Sequence, residues 1–440
     1  MSSRILIRNA RLVDPASGLD TAGAIAIDAG RIAIVASGDN ADARLRDFSA
    51  ERTLDVQGAV VVPGLVDLVA RLGEPGHEHA GLLESELAAA VAGGVTSIVC
   101  PPDTDPVLDE PGLVEMLKSR ARGLNLARLY PLGALTRGLG GEALTEMAEL
   151  TEAGCIAFSQ ADVAIRDTLV LHRAMQYAAT FDYAVWLRPN DAWLGNGVAA
   201  KGPLATRMGL TGVPVLAETI ALATIFELMR DTGVRVHLSR LSSAAGLELV
   251  RRAKAERLPV TCDVSIHQLH LIDVDIGYFD SALRLVPPLR QQRDRDAIRT
   301  ALADGTIDAL VSDHTPVGED AKHLPFAEAE PGATGLELLL SAALKWGESS
   351  GLGLARTLAA VTSGPASVLR ASLPSLGEGP SGLSEGAPAD LCVFAADEAW
   401  TVSASTLVSR SKLTPFAGYE LPGRVRCTLV AGAVAYDAIR

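Results

Sequence analysis

Between about residues 58 and 370 the chain repeats one pattern, a short apolar run followed by a helical stretch. AVVVPGLVDLVA precedes LLESELAAAVAGG, TSIVC precedes LVEMLKSRA, RLYPLGAL precedes LTEMAELTEAG, and CIAFS precedes TLVLHRAMQYAA. YAVWL then precedes AETIALATIFELMRDTG, VRVHLSRL precedes AAGLELVRRAKAER, and PVTCDVS and DALVSD follow. Parallel neighbours in a sheet need a crossover of a dozen or more residues, which a helix supplies. About eight units of roughly 30 residues predict a closed (β/α)8 barrel of the α/β class. A doubly wound open sheet is the alternative. No GxGxxG follows the first strand and no GxxxxGK[ST] occurs, which counts against dinucleotide or P-loop use of such a sheet.

The two ends read differently. ILIRNARLVDP and AIAIDAGRIAIVA open the chain with alternating apolar residues, Asp28-Ala29-Gly30 supplying a hairpin turn. ADLCVFAA and RVRCTLVAGAVAYD close it in the same manner, with a turn at Ala431-Gly432. Strands at both termini must pair with something, so they predict one small composite β domain. The expected divisions are 1–57 and 371–440 for that domain and 58–370 for the barrel.

Composition narrows the function. Forty-eight per cent hydrophobic and 21% charged residues give a chain that folds, and a net charge of −14 with no basic run disfavours nucleic acid and anionic membranes. The N-terminal MSSRILIRNARLVDP has no apolar signal region, and no stretch of about 18 apolar residues occurs, so a soluble, cytoplasmic protein is expected. Five widely spaced cysteines without a CxxC pair read as buried free thiols.

In a barrel the chemistry lies at the carboxyl ends of the strands. Those tips carry a frame: GLVDLVARLGEPG (64–76), AGGVTSIVCPPDTDP (92–106), GCIAFS (154–159), VPPLR (286–290), SDHTP (312–316), PGATGLE (331–337), EGAPADLCVF (385–394) and SKLTPFAG (411–418). In this order the segments resemble the dihydroorotases of the amidohydrolase superfamily. The resemblance implies a metal-dependent barrel, zinc as the metal, and a composite β domain.

Set against that family, the metal ligands are missing. The first strand of such enzymes carries Asp-x-His-x-His-x-Arg-Glu-Pro-Gly; here Val69 and Arg71 stand where the two histidines belong, and Gly73 where the substrate-holding arginine belongs. Valine has no lone pair, and guanidinium does not give one up at working pH. The acidic bridging position meets Gln160-Ala161, and strand alternation turns Asp162, one step on, the wrong way. Arg188 and Arg240 match the two later ligand histidines. Asp313 alone keeps the family residue that ligates metal and shuttles the proton. Substrate positions change as well: Asp103 replaces an asparagine, Val286 another, and Val317 a histidine. Metal-assisted amide hydrolysis needs a metal-activated hydroxide, which these residues do not supply.

Other histidines are weaker candidates. His77-Glu78-His79 is an HxH triplet, but on a helix residues two apart lie about 200° round the axis and cannot share an ion. His267 and His270 stand beyond a strand end and are expected to sit at the surface or pack, as His237 and the helical His172 are. The expected metal content is none. Asp313 is expected to be a buried structural carboxylate, bonded to nearby backbone N–H groups or to His314.

Three arginines converging where the family holds two dications would repel one another without carboxylates between them. Asp67, Asp103 and Asp313 are the nearest candidates, predicting a salt-bridge cluster of Arg71, Arg188 and Arg240 with them. An anion site is the sharper alternative, because arginine forks suit carboxylates and phosphates. The leading functional expectation is a catalytically inactive dihydroorotase-like chain of pyrimidine biosynthesis. It would form a homo- or hetero-oligomer and act as an assembly partner of aspartate transcarbamoylase, an inference from the resemblance alone. The alternatives are a hydrolase of cyclic amides, like dihydroorotase, hydantoinase or allantoinase, with an unusual metal centre of Asp313 and His267 or His270, and a metal-free sensor of an anionic pyrimidine precursor.

Overall fold

The computed structural model describes residues 4–38, 41–372 and 379–439. Five strands open the chain: β1 (Ile5–Asp14), β2 (Leu19–Asp28), β3 (Arg31–Ser37), β4 (Arg52–Asp55) and β5 (Val60–Pro63). Short strands separated by helices follow: β6 (Leu65–Asp67), β7 (Val95–Cys100), β8 (Arg128–Pro131), β9 (Gly133–Ala134), β10 (Phe158–Ser159) and β11 (Ala184–Leu187). After a small ribbon of β12 (Ala199–Ala200) and β13 (Gly212–Val213) come β14 (Arg235–Leu238), β15 (Val260–Ser265) and β16 (Ala309–Val311). The last three are β17 (Leu391–Thr401), β18 (Glu420–Val430) and β19 (Ala433–Asp437).

The terminal strands form one sheet in the order β19-β18-β17-β5-β1-β2-β3, with β4 also paired to β1. The two termini meet where β5 runs antiparallel to β17, Val62 opposite Cys392. Its two-residue hairpins use positive φ at both turn positions, Ala29 and Gly30 at 50° and 79°, Ala431 and Gly432 at 47° and 74°. That geometry matches the twist of the strands it joins.

The boundary expected at residue 57 is displaced. β5 belongs to the terminal sheet, so the barrel begins at β6. Val61 packs with Ile7, Leu12 and Ile25 on one face of that sheet, while Val60 and Val62 join the barrel's helices and strands on the other. A strand buried on both faces is apolar throughout and loses its alternation, so it reads like a barrel strand. The C-terminal boundary expected at 371 stands beside residues 373–378, which lie outside the described residues.

The barrel is built from two parallel runs, β6-β7-β8 and β9-β10-β11-β14-β15-β16. β8 and β9 are halves of one strand position either side of Leu132. Pro131 O accepts from Ile156 N at 3.1 Å, and Leu132 N donates to Cys100 O at 2.9 Å. A parallel bridge between Ala70 and His314 closes the ring, with Arg71 N donating to His314 O at 2.8 Å. Among the described residues this gives eight strand positions. Val66, Leu68, Val99, Tyr130, Trp186 and Val311 share a buried cluster with Ala366 and Leu369 of the helix Ser363–Ser372, which closes the barrel where Val66 N reaches Val361 O.

Candidate functional site

Six of the charged side chains at the barrel mouth project from six strand ends: Arg71 after β6, Asp103 after β7, Asp162 after β10, Arg188 after β11, Arg240 after β14 and Asp313 after β16. Asp162 is the hub. Its Oδ1 lies 2.6 Å from Arg188 Nε and accepts from Arg240 Nη2, while its Oδ2 accepts from Arg71 Nη2 at 2.8 Å. Arg71 also grips Asp103 Oδ2 through Nε and Nη2 at 2.9 and 2.8 Å and donates to Thr315 Oγ1 at 3.1 Å. Arg240 Nη1 donates to Asp313 Oδ1 and to Val286 O, both at 3.1 Å.

The side-chain direction expected of Asp162 is thereby corrected. β10 ends at Ser159, and Ala161 takes a φ of 50°, so alternation has stopped before Asp162 and the turn swings its carboxylate inward. Arg240 and Asp313 also hold positive φ, 57° and 52°. Three non-glycine residues in the left-handed region within one cluster mark a backbone held by its surroundings.

Asp67 is the second correction. It forms no ion pair with the arginines; it is fully buried and accepts from Ser312 Oγ, from Ser312 N at 3.1 Å and from Val69 N at 3.3 Å. It is the last residue of β6, four residues before Arg71. Asp313 is buried and takes Arg240 as its partner, as the cluster reading expected, in place of the backbone N–H groups or His314. His314 turns instead to Glu86, 3.0 Å from Nε2. Glu86 also accepts from Ser409 Oγ and from Arg410 N at 3.0 Å, a junction between the barrel and the segment before β18 that no sequence motif announced.

Burial alone would raise the Asp162 carboxyl, but Arg240, Arg188 and Arg71 hold it well below the usual carboxylate range. Asp313 has weaker compensation, and burial pushes it up to about 6 against the pull of Arg240 and Arg71. Burial likewise pushes Asp67 up to about 6 despite its hydrogen bonds from Ser312.

The other changed positions are filled in ways that suit packing. Val69 is buried among Val66, Leu68 and Trp186. Gly73 has φ +76°, and a Cβ there would stand 2.2 Å from Gly81 O, so the site has no room for the arginine of the resembled family. Ala161 N accepts no ligand role and instead donates to Ser159 Oγ at 3.0 Å. Val317 is buried, its carbonyl taking Ser411 Oγ at 2.9 Å.

The histidines are dispersed. His77 and His79 lie exposed in a turn before the helix Leu83–Ala92, their rings 6.2 Å apart. His267 is buried against Phe416 at 5.7 Å, and His270 meets Ala342 O at 2.9 Å, so both pack rather than reach the surface. Burial lowers them to about 3 and about 4. His237 is held between Asp263 and Thr261, each at 2.8 Å, and His172 meets Asp231 at 2.6 Å.

The residues present do not fit a zinc centre. Guanidinium groups have no lone pair to offer, and Asp162 and Asp313 each already hold an arginine. Among the described residues, no group of three or more His, Cys, Asp or Glu is placed to hold a metal. The mouth retains a cavity of about 310 Å³, lined by Arg71, Asp103, Asp162, Arg240 and Asp313 with apolar walls that include Leu72, Pro101, Leu285 and Pro316.

An eight-stranded barrel joined to a β sheet built from both termini, with its chemistry-bearing side chains at the strand ends, defines the amidohydrolase architecture. L-hydantoinase from Arthrobacter aurescens superposes with a TM-score of 0.86 at 24% identity, covering 100% of this chain and 97% of that one. Residues 58–245 match the Dihydro-orotase-like family model. A "Dihydroorotase-like protein" of Pseudomonas aeruginosa is 44% identical over 435 residues, spanning 98% of this chain and 99% of the relative. A "Dihydroorotase" of Syntrophotalea carbinolica is 37% identical over 434 residues, spanning 98% and 99%. The chain belongs to the dihydroorotase-like family.

Proposed function

We propose that this chain is a non-catalytic member of its family and serves as a structural partner of an aspartate transcarbamoylase in pyrimidine biosynthesis. The observation that carries the loss of hydrolysis is Asp162 held among Arg71, Arg188 and Arg240, because this ion cluster fills the place where the resembled enzymes hold metal. A fold kept whole around a site without metal ligands favours a role in binding. The partner is suggested by the family resemblance alone, and two relatives carry the name dihydroorotase-like rather than dihydroorotase. A groove lined by Val163, Trp193 and Ile220, with Trp193 70% exposed, offers apolar surface of the kind that interfaces use.

The test is light scattering of this chain mixed with the transcarbamoylase of the same genome, with each alone as control. A defined larger particle with gained or stabilised transcarbamoylase activity is the expected result, and Trp193→Glu is the first interface variant to compare. Two unchanged peaks would reject the partnership. The 37% identical relatives named dihydroorotase favour a second reading, an active cyclic-amide hydrolase. Turnover of dihydroorotate by zinc-supplemented protein would support it.

A further inference from the structure

A second cavity opens beside the mouth, bounded by the turn after β10, the end of β11 and the helices Thr168–Thr180 and Leu216–Thr232. Arg188 lines this cavity and not the mouth. Its side chain is 10% exposed. Nη2 donates to Asp162 O at 3.0 Å, Nε stands 2.6 Å from Asp162 Oδ1 without making a hydrogen bond, and Nη1 makes none with a described residue. Nε is sealed from solvent, whereas Nη1 is not. Counter-charge is unequally shared as well. Asp162 serves all three arginines, Arg71 has Asp103 besides and Arg240 has Asp313, but Arg188 has no second carboxylate among the described residues. Burial lowers the Arg188 guanidinium against the pull of Asp162, while Arg71 and Arg240, also buried, end above the ordinary arginine range because Asp103 and Asp313 add to Asp162.

The rest of the wall suits an anion with an apolar body. Its charged residues are two cations, Arg166 and Arg188, and one acid, Asp191, whose Oδ1 is taken by Trp193 N and Leu194 N at 3.0 and 2.8 Å. Arg166 lies exposed over the Trp193 ring at 5.0 Å and forms no ion pair among the described residues. Gln160 is spent on Leu139 O and Thr136 Oγ1, and Thr224 on Ile220 O. The Asn190 amide, two residues on from Arg188, and the Thr168 hydroxyl make no hydrogen bond to a described residue. Leu171, Trp193, Ile220 and Ile225 supply apolar surface.

We infer that this cavity binds a small apolar monocarboxylate, with its carboxylate on Arg188 Nη1 and the Asn190 amide and its hydrocarbon body against Leu171, Trp193, Ile220 and Ile225. A buried guanidinium short of counter-charge is costly, so an anion that supplies it gains a charge-assisted hydrogen bond. The volume of about 120 Å³ is near that of an apolar cavity able to hold one benzene ring, about 150 Å³. A phosphate dianion would bring no body to these apolar walls, and a neutral ring would leave Nη1 to water. The site goes beyond the assembly role proposed above and does not depend on it, although Trp193 and Ile220 belong to both surfaces.

The experiment is titration calorimetry with thermal-shift measurement on the full chain at neutral pH. The probes are benzoate and butyrate, with benzyl alcohol, benzamidine and inorganic phosphate as controls. Saturable heat and a dose-dependent rise in Tm are expected for benzoate, butyrate or both, and not for the neutral or the cationic ring. Arg188→Gln, checked for folding by its own melting curve, should weaken binding about tenfold, the loss of one charge-assisted hydrogen bond. Two further variants leave the ion cluster alone. Ala221→Leu narrows the cavity from the helix Leu216–Thr232 and should remove binding, and Arg166→Ala at the exposed rim should weaken it by a smaller factor. Benzyl alcohol, benzamidine or phosphate binding as tightly as the monocarboxylates, binding that Ala221→Leu leaves unchanged, or no response to either acid up to about 10 mM, beyond the weak end of useful affinity, would each overturn the assignment.

Discussion

Asp162 shows how much one carboxylate can matter where three guanidinium groups are buried. Removing one partner of a buried ion cluster leaves uncompensated charge, at a cost of about 3–5 kcal/mol. Asp162→Ala is therefore expected to lower the unfolding free energy measured by urea titration by that order, and Asp162→Asn by less because its amide oxygen still accepts. A loss below about 1 kcal/mol, the range of surface pairs, would show that the arginines are solvated or spread apart in solution. Gly73 makes the complementary point. With φ +76° and Gly81 O so near, Gly73→Arg strains the turn. The combination Val69→His, Arg71→His and Gly73→Arg should give unstable protein and no dihydroorotate turnover with zinc. The changed residues were all legible in the sequence; the inward turn of Asp162 was not, because a positive φ at an alanine has no sequence signature.

Strand ends also set how the molecule responds to pH. Asp67 closes β6 and Asp313 follows β16, and burial pushes both up to about 6, whereas an unfolded carboxyl titrates near 4. Between about pH 4 and 6 the folded state therefore binds more protons, and these two groups make stability fall as pH rises through that window. Asp162 and Glu86, both lowered, act oppositely: their stabilisation is present above about pH 4 and is lost below it. Urea midpoints across that range should show a shallower decline for Asp67→Asn than for the natural chain. Coincident slopes would mean that Asp67 titrates as an ordinary exposed carboxyl. The strands themselves were legible as apolar runs. Which of their terminal carboxylates faces the mouth and which faces Ser312 depended on where each strand stops.

Across the whole molecule, the barrel and the terminal sheet share polar anchors at Asp390. Its carboxylate accepts from Arg128 of β8 at 2.8 and 3.2 Å and from Ala431 N, and its carbonyl takes Gly64 N at 2.8 Å. Together with Val60 and Val62 packing into the barrel core, these bonds predict one cooperative unfolding transition in calorimetry. Asp390→Ala should cost roughly 2 kcal/mol, the penalty of unmeeting buried donors, without splitting that transition. Two separate transitions would show independent units. The sequence by itself determined the repeat of strands and helices, the sheet shared by both termini, the family frame and the residues that stand at its strand ends, because each is written in periodicity or in residue identity. Only the tertiary structure decided that β5 serves both cores, that Asp162 and not Asp67 binds the arginines, and that His314 turns to Glu86. Those outcomes depend on distances among segments far apart in the chain, and local pattern carries no measure of them.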